Sequence, residues 1–148
     1  MRRELLPLLA TIEAFADLGE EDLSALVEAC QELHVRPSEV LVSEGVEDER
    51  LFIPLRGRVE VYRRRGRGIL AELGPGSLIG LLASLLGGAR TSTVRATERS
   101  QLAVLRGSAL ELLSLSHAPI GLAVQTAMVG QLLDDVLAVQ RRLGDLGA

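Results

Sequence analysis

The most informative stretch of this 148-residue chain is Leu78-Ile-Gly-Leu-Leu-Ala-Ser-Leu-Leu-Gly-Gly-Ala-Arg90-Thr-Ser-Thr-Val-Arg-Ala96. It predicts a strand end, a short apolar helical turn, a Gly-Gly loop, a lone arginine and a second strand. Gly80 allows the backbone to approach a ligand closely, and the first amides of a short helix attract anions. Arg90 can close over the same anion with a forked, charge-assisted contact. The stretch therefore predicts a pocket for one phosphate.

Three segments precede this stretch in order, at residues 43–45, 51–62 and 73–76. Together with residues 78–96, they resemble the landmarks of the cyclic-nucleotide-binding domain family, known from bacterial catabolite activator proteins, cyclic-nucleotide-dependent kinases and cyclic-nucleotide-gated channels. The phosphate-binding cassette of that family has the pattern F-G-E-L-A-L, a short loop, and then R-A/S/T-A-x-V-x-A. This chain matches the spacing without a gap, but Leu81 occupies the position of the glutamate.

Hydrophobic spacing predicts helices at both ends of the chain and short strands between them. The predicted helices cover residues 5–15, 20–30, 108–115 and 119–146, and the predicted strands cover residues 40–42, 51–55, 59–62, 69–73, 91–96 and 102–105. Short strands at regular spacing favour a closed roll or barrel. The resemblance implies an α+β fold with an eight-stranded, jelly-roll-like β-roll. We expect one domain over residues 1–148, with N-terminal helices at 1–32, the roll at 33–106 including the cassette at 78–96, and C-terminal helices at 107–148.

Composition excludes several classes of enzyme. All 16 basic residues are arginine, so neither a P-loop nor lysine-based catalysis is possible. His34 and His117 are too few and too far apart to indicate a metal site, even with Cys30, and no catalytic constellation is visible. We therefore expect a protein that is not an enzyme and that holds neither a metal nor a cofactor.

Cysteine content, hydropathy and charge bear on location and partners. A single cysteine excludes an intramolecular disulfide and favours a reducing, cytoplasmic location. No apolar run approaches the roughly 18 residues of a membrane span, and the start of the chain does not have the pattern of a signal peptide. The net charge of −4 disfavours a general nucleic-acid binder. In the family that the chain resembles, transcriptional activators carry a helix-turn-helix after the long helix, where this chain has only residues 144–148. The resemblance therefore implies no direct DNA binding and an output through an unidentified effector protein.

The long C-terminal helix carries apolar residues on two faces. One stripe consists of Leu122, Val129, Leu133, Val136 and Leu143, and the second face consists of Val124, Met128, Leu132 and Val139. A helix that is apolar on two faces must be covered on both. The roll can cover one face, and a second copy of the chain can cover the other as a short coiled coil. Packing of both faces within one chain is the alternative to this homodimer.

The resemblance implies roles for individual residues. In the family, the arginine pairs with the cyclic phosphate, and backbone amides of the cassette helix bind it as well. Carried over to this chain, Arg90 holds the phosphate, and the cassette backbone at Gly80, Leu82 and Ala83 assists. Thr91 then lies near the base, where a threonine is associated with guanine preference. The ligand implied is cyclic AMP or cyclic GMP.

Leu81 weakens the ligand site that the resemblance implies, because the family's glutamate accepts a hydrogen bond from the ribose 2′-hydroxyl. A charged acceptor is worth roughly 1.5–3 kcal/mol, so we expect affinity to fall by about one or two orders of magnitude. Ser84 is the nearest hydroxyl that can replace it. At the base end, Tyr62 can reach a base, although the sequence first predicts it as a core residue of a strand. Val136, Leu137 and Val139 of the long helix are candidates for a lid.

Two functions remain open at this point. The first is a non-enzymatic regulatory module that senses a cyclic mononucleotide through Arg90 and repositions its terminal helix. The second is a degenerate domain that no longer binds nucleotide and acts as a dimerising scaffold for protein–protein interaction. Gly80 and Arg90 favour the first, and Leu81 favours the second.

Overall fold

The computed structural model describes residues 4–63 and 68–147, without side-chain placement for residues 135, 136, 138, 139, 142, 143 and 145–147. The chain begins with helices α1 (Leu5–Ala10) and α2 (Glu20–Ala29), separated by a 3-10 turn at Glu13–Phe15. The strands of the described residues are β1 (Gln31–Val35), β2 (Val40–Val42), β3 (Arg50–Arg56), β4 (Val59–Tyr62), β5 (Ile69–Leu73), β6 (Thr93–Ala96) and β7 (Ser100–Arg106). Helix α3 (Leu81–Leu86) lies between β5 and β6, and helices α4 (Gly107–Ser116) and α5 (Ala118–Gly147) end the chain.

The strands form two antiparallel sheets that face each other as a β-roll. One sheet has the order β1-β7-β3 and the other has the order β2-β6-β4-β5. The predicted α+β class and the β-roll are therefore confirmed. The count of eight strands is not, because seven strands occur in the described ranges. Glu47 with Ala89 and Phe52 with Ile79 form isolated bridges, which are single residue pairs rather than strands.

Two apolar clusters build the core. Phe52, Val59 and Leu102 belong to the cluster inside the roll, between the two sheets. Leu51 and Ile53 belong to the other cluster, which joins the outer face of the three-stranded sheet to the helices. Side chains alternate between the faces of a strand. Strand β3 is therefore buried on both faces, which explains its continuous apolar run from Leu51 to Leu55.

Several element boundaries differ from the sequence prediction. The first predicted helix is divided at Thr11, where α1 ends before the 3-10 turn. Strand β1 begins at Gln31, two residues before the predicted start of the roll. It was not predicted as a separate strand because Gln31, Glu32 and His34 are polar and exposed. Strand β6 begins at Thr93, so that residues 91–92 remain a loop.

Helix α5 buries the first half of one of its predicted apolar faces, whereas Leu132 of the same face is 47% exposed. Val124 is buried and Met128 packs against the helical cluster, beside Ile120. The helix packs mainly against α4, the 3-10 turn and α2. The cluster that buries this face also contains Leu51, Ile53 and Leu105 of the three-stranded sheet, so helices and roll cover it together. The described residues of the other stripe are exposed, at 66% for Leu122, 64% for Val129 and 56% for Leu133. The side chains of Val136 and Leu143 lie outside the described part.

The described helices include none that is long and apolar enough to span a bilayer. Helix α5, although it contains 30 residues, carries charged side chains along its second half.

Candidate functional site

A cavity of about 570 Å³ opens between helix α3, the loop that follows it and the four-stranded sheet. Its volume falls within the range of about 300–1,000 Å³ that is typical of small-molecule pockets. The apolar part of its lining includes Val42, Val61, Leu73, Ile79, Leu86 and Val94. Gly80, Arg90 and Thr91 of the predicted cassette line it as well.

Backbone hydrogen bonds fix both ends of the cassette to the roll. At the first end, Phe52 N–H donates to the Ile79 carbonyl over 3.0 Å, and Ile79 N–H donates back over 2.9 Å. At the other end, Arg90 N–H donates to the Val46 carbonyl over 2.9 Å, and Gly45 N–H donates to the Arg90 carbonyl over 2.8 Å. The distance between Gly80 and Arg90 is therefore set by backbone contacts with β3 and with residues 45–46, and these contacts do not involve a ligand.

Gly80 and Arg90 are in direct contact. Gly80 precedes α3 with a φ of +83°, a left-handed conformation that favours glycine. A Cβ at this position would overlap Nη1 of Arg90. The Arg90 guanidinium therefore lies against the backbone at the start of α3, in space that a side chain at residue 80 would occupy.

Arg90 is a buried cation whose hydrogen bonds are incomplete. The residue is 7% exposed. Its Nη2 donates to the Arg50 carbonyl and lies 3.8 Å from Oδ1 of Asp48, while Nε finds no acceptor among the described residues. Burial lowers the pKa of the Arg90 guanidinium below its usual value, and the charge of Asp48 opposes that effect. An anion in the cavity would supply the missing acceptor and charge.

Comparison with known proteins gives a family for this arrangement. A family model described as "Cyclic nucleotide-binding domain" matches residues 32–117, a range that includes the strands of the roll and the cassette. The chain belongs to the cyclic nucleotide-binding domain family.

Individual relatives agree with this assignment. The cGMP-dependent protein kinase egl-4 of Caenorhabditis elegans is 30% identical over 97 residues, which are 66% of this chain and 12% of the kinase. The N-terminal domain of a transcriptional regulator from Streptomyces coelicolor A3(2) superposes with a TM-score of 0.74 at 27% identity, covering 89% of this chain and 94% of that domain.

The catabolite activator protein of Thermus thermophilus has a TM-score of 0.76 at 23% identity, covering 86% of this chain and 61% of that protein, and shows a shared fold. This shared fold agrees with the family match.

Leu81, at the position that the resemblance assigns to the family's glutamate, is a core residue. It is 1% exposed and belongs to the cluster between the three-stranded sheet and the helices. Ser84 is not placed to act as a substitute acceptor, because it is buried, its Oγ donates to the Leu81 carbonyl over 2.7 Å, and it is not among the described lining residues. Leu81, Leu82, Ala83 and Thr91 line the cavity, and Thr91 is exposed.

Tyr62 is placed differently from its prediction. Its neighbour Val61 lines the cavity, and alternation along β4 directs Tyr62 to the opposite face. There the Arg95 guanidinium lies 5.0 Å from the centre of the tyrosine ring, and Arg95 Nε donates to Oε1 of Glu60 over 2.9 Å. The second arginine of the cassette region, Arg95, is therefore outside the cavity and already paired.

Gln131 is a lining residue that sequence reasoning missed. It lies on α5, and its Nε2 donates over 3.0 Å to the carbonyl of Leu78, the first residue of the cassette. Gln131 and Leu78 also line a second groove of about 840 Å³ between α5 and the 3-10 turn, so the two residues form a wall between groove and cavity. Among the residues predicted as a lid, Leu137 is not a described lining residue, and the side chains of Val136 and Val139 lie outside the description.

Asp48 connects the buried arginine to the surface. Its carboxylate accepts two hydrogen bonds from the Arg50 side chain, over 2.9 Å from Nε and 2.7 Å from Nη2. The hydrogen bonds from Arg50 hold the pKa of Asp48 below its usual value, and the charge of Arg90 contributes in the same direction. This carboxylate is thus the described negative charge closest to the Arg90 guanidinium.

The lowered pKa of Asp48 predicts a pH-dependent stability contribution. A carboxyl group with a pKa depressed by folding stabilises the folded state above its unfolded pKa, of about 3.9, and loses that contribution as pH falls through the folded value. We expect Asp48→Asn to lower the free energy of unfolding at pH 7, and the difference from wild type to close below about pH 4. Urea unfolding at both pH values measures this. A difference that stays constant down to pH 3 would contradict the assignment of the charge to folding.

Proposed function

We propose that this domain binds a cyclic mononucleotide at the cavity beside Arg90 and acts as a non-enzymatic, cytoplasmic regulatory module. The observation that carries the proposal is the buried guanidinium of Arg90, whose Nε has no acceptor in the described structure and which borders an open cavity. A buried charge without full pairing is costly. A phosphate diester in the cavity offsets that cost because it offers both a negative charge and acceptor oxygens.

Ligand contacts follow from the positions around Arg90. The cyclic phosphate lies against Arg90 and the backbone of Gly80, Leu82 and Ala83, while the base and sugar occupy the apolar part of the cavity. Thr91, exposed at the cavity, supports a preference for cyclic GMP over cyclic AMP. Binding is weak relative to domains with the glutamate, because Leu81 supplies no acceptor for the ribose.

Gln131 supports a route from the cavity to the terminal helix. It is a wall of the cavity and anchors α5 to the Leu78 carbonyl with a single side-chain hydrogen bond. A neutral hydrogen bond of this kind contributes about 0.5–1.5 kcal/mol, so a bound ligand that displaces it can shift α5. An effector protein that recognises the position of α5 then receives the signal.

Calorimetric titration with cyclic AMP and cyclic GMP at millimolar concentration tests the proposal, with cyclic di-GMP as a larger comparison ligand. Saturable binding of one mononucleotide at one site per chain is the expected result. Absence of heat and of any thermal stabilisation by all three, in a folded protein, would favour the second candidate function.

The second candidate is a domain that no longer binds nucleotide and serves as a dimerising scaffold. It is favoured by Leu81, which packs into the core where the family has an acidic ligand contact, and by the Arg90 Nη2 contact to the Arg50 carbonyl. In that case Arg90 is structural, and its replacement destabilises the fold without any change in ligand binding.

Both candidates include a homodimer through the exposed stripe of α5. Leu122, Val129 and Leu133 are each more than half exposed and are spaced at seven and four residues, as in a coiled-coil seam. Val136 and Leu143 continue this spacing in the sequence. A second copy that places the same stripe against this one buries all of these residues.

We expect Leu133→Glu to weaken the dimer by more than tenfold, because it places two like charges in an apolar seam. Val40→Glu is the matched control, since Val40 is 50% exposed on β2 and not on α5. Sedimentation equilibrium at micromolar concentration compares both variants with wild type. A Leu133→Glu protein as dimeric as the control would exclude this seam.

A further inference from the structure

We infer that the ligand is an anion with an apolar body, held by one charged contact, and that the cavity does not read ribose hydroxyls. This rests on the proposed function in placing the ligand beside Arg90, and it adds a chemical class to it. The site should accept cyclic nucleotides whose 2′-oxygen is removed or methylated as well as it accepts the parent compounds.

The first support is the charge of the lining. Arg90 is the sole charged side chain among the described lining residues, and the other polar side chains there are those of Thr91, Ser92 and Gln131. The rest of the lining consists of aliphatic side chains, alanine and glycine. A ligand in this cavity therefore finds one positive charge and an otherwise apolar surface.

The second support is the state of the nearby acceptors. Asp48 and Glu60 are not among the described lining residues, and each is paired with an arginine, Arg50 and Arg95 respectively. The Ser84 hydroxyl is buried and committed to the Leu81 carbonyl. A ligand hydroxyl would consequently meet a neutral acceptor or an aliphatic side chain.

The expected change in affinity distinguishes a charged acceptor for the ribose hydroxyl from a neutral one. A hydrogen bond to a charged acceptor is worth roughly tenfold to more than a hundredfold in affinity, whereas one to a neutral group is worth about tenfold or less. A methyl group that is buried on binding adds affinity instead of removing it. Loss of the 2′-hydroxyl should thus change affinity by no more than about tenfold, and 2′-O-methylation should leave it equal or raise it.

The experiment compares cyclic AMP with 2′-deoxy-cyclic AMP and 2′-O-methyl-cyclic AMP by calorimetry, and it adds hexyl phosphate as an anion with an apolar body and no sugar. Each titration is repeated on Arg90→Ala and on Arg95→Ala, whose arginine lies outside the cavity. Affinities within about tenfold for the three nucleotides, lost in Arg90→Ala and kept in Arg95→Ala, would support the inference.

The outcomes for this inference and for the proposed function are distinguishable. If cyclic AMP binds through Arg90 but the 2′-deoxy compound binds more than about tenfold more weakly, the inference is overturned while the proposed function stands. If hexyl phosphate binds through Arg90 while the nucleotides do not, the ligand class stands and cyclic nucleotide sensing is overturned. Binding of none of the four overturns both.

Discussion

Arg90→Ala is expected to lower the affinity for a cyclic mononucleotide by more than about 100-fold. The phosphate would lose two charge-assisted hydrogen bonds, which are worth about 1.5–3 kcal/mol each. The unfolding free energy should change far less than the binding free energy, since the guanidinium is already buried with one nitrogen lacking an acceptor in the described structure. Calorimetry and urea unfolding on the same preparation measure both quantities.

Arg95→Ala is the matched control for this result. Arg95 lies five residues further along the chain, but it pairs with Glu60 and Tyr62 on the opposite face of the sheet. Its replacement should leave nucleotide affinity unchanged. Equal affinities of wild type and Arg90→Ala, or an equal loss in both variants, would show that Arg90 does not hold the ligand.

Gly57→Ala is expected to produce the largest loss of stability. Gly57 has a φ of +96°, and a Cβ there would overlap Ser100 Oγ and lie 2.7 Å from the Arg99 carbonyl oxygen. The left-handed conformation costs an L-residue about 1–2 kcal/mol and overpacking costs about 1–3 kcal/mol, so the loss should be about 2–5 kcal/mol. This is a large share of the roughly 5–15 kcal/mol of a typical domain. Thermal unfolding should show a drop of about 2–4 °C for each kcal/mol.

Gly130→Ala provides the opposite expectation with the same chemical change. Gly130 lies inside α5, and nothing is within 4 Å of a Cβ placed there. Alanine should stabilise the helix by about 0.5–1 kcal/mol relative to glycine.

If Gly57→Ala unfolds at the same temperature as wild type, the tight approach of the β3–β4 turn to residues 99–100 is not present in solution.

The cassette could be predicted from sequence because its information is local. Gly80 and Arg90 are ten residues apart in the sequence, and the chain between them forms a six-residue helix and a loop. Strands β2, β4 and β5 could be predicted for the same reason, and they have the bounds that alternation and turn residues indicated.

The surroundings of the cassette could not be predicted because they depend on long-range contacts. Asp48 approaches Arg90 from more than forty residues earlier, and Gln131 reaches Leu78 from a different element. Leu81 was recognised as a departure from the family pattern, but its packing into the helical cluster depends on how α3 rotates against the roll. The orientation of Tyr62 follows from alternation beside Val61, a local signal that predicts the correct face when it is applied.

Nuclear magnetic resonance of the Arg90 side chain tests the central claim most directly. The Nε–H group of Arg90 has no acceptor among the described residues, and Arg90 lines the cavity, so the cross-peak of this group reports on an anion placed against the guanidinium. Assignment by comparison with Arg90→Lys, followed by titration with cyclic AMP and cyclic GMP, should show a saturable downfield shift of that proton with one of them. An Nε–H cross-peak that stays unchanged at saturating nucleotide would contradict binding of a cyclic phosphate by Arg90.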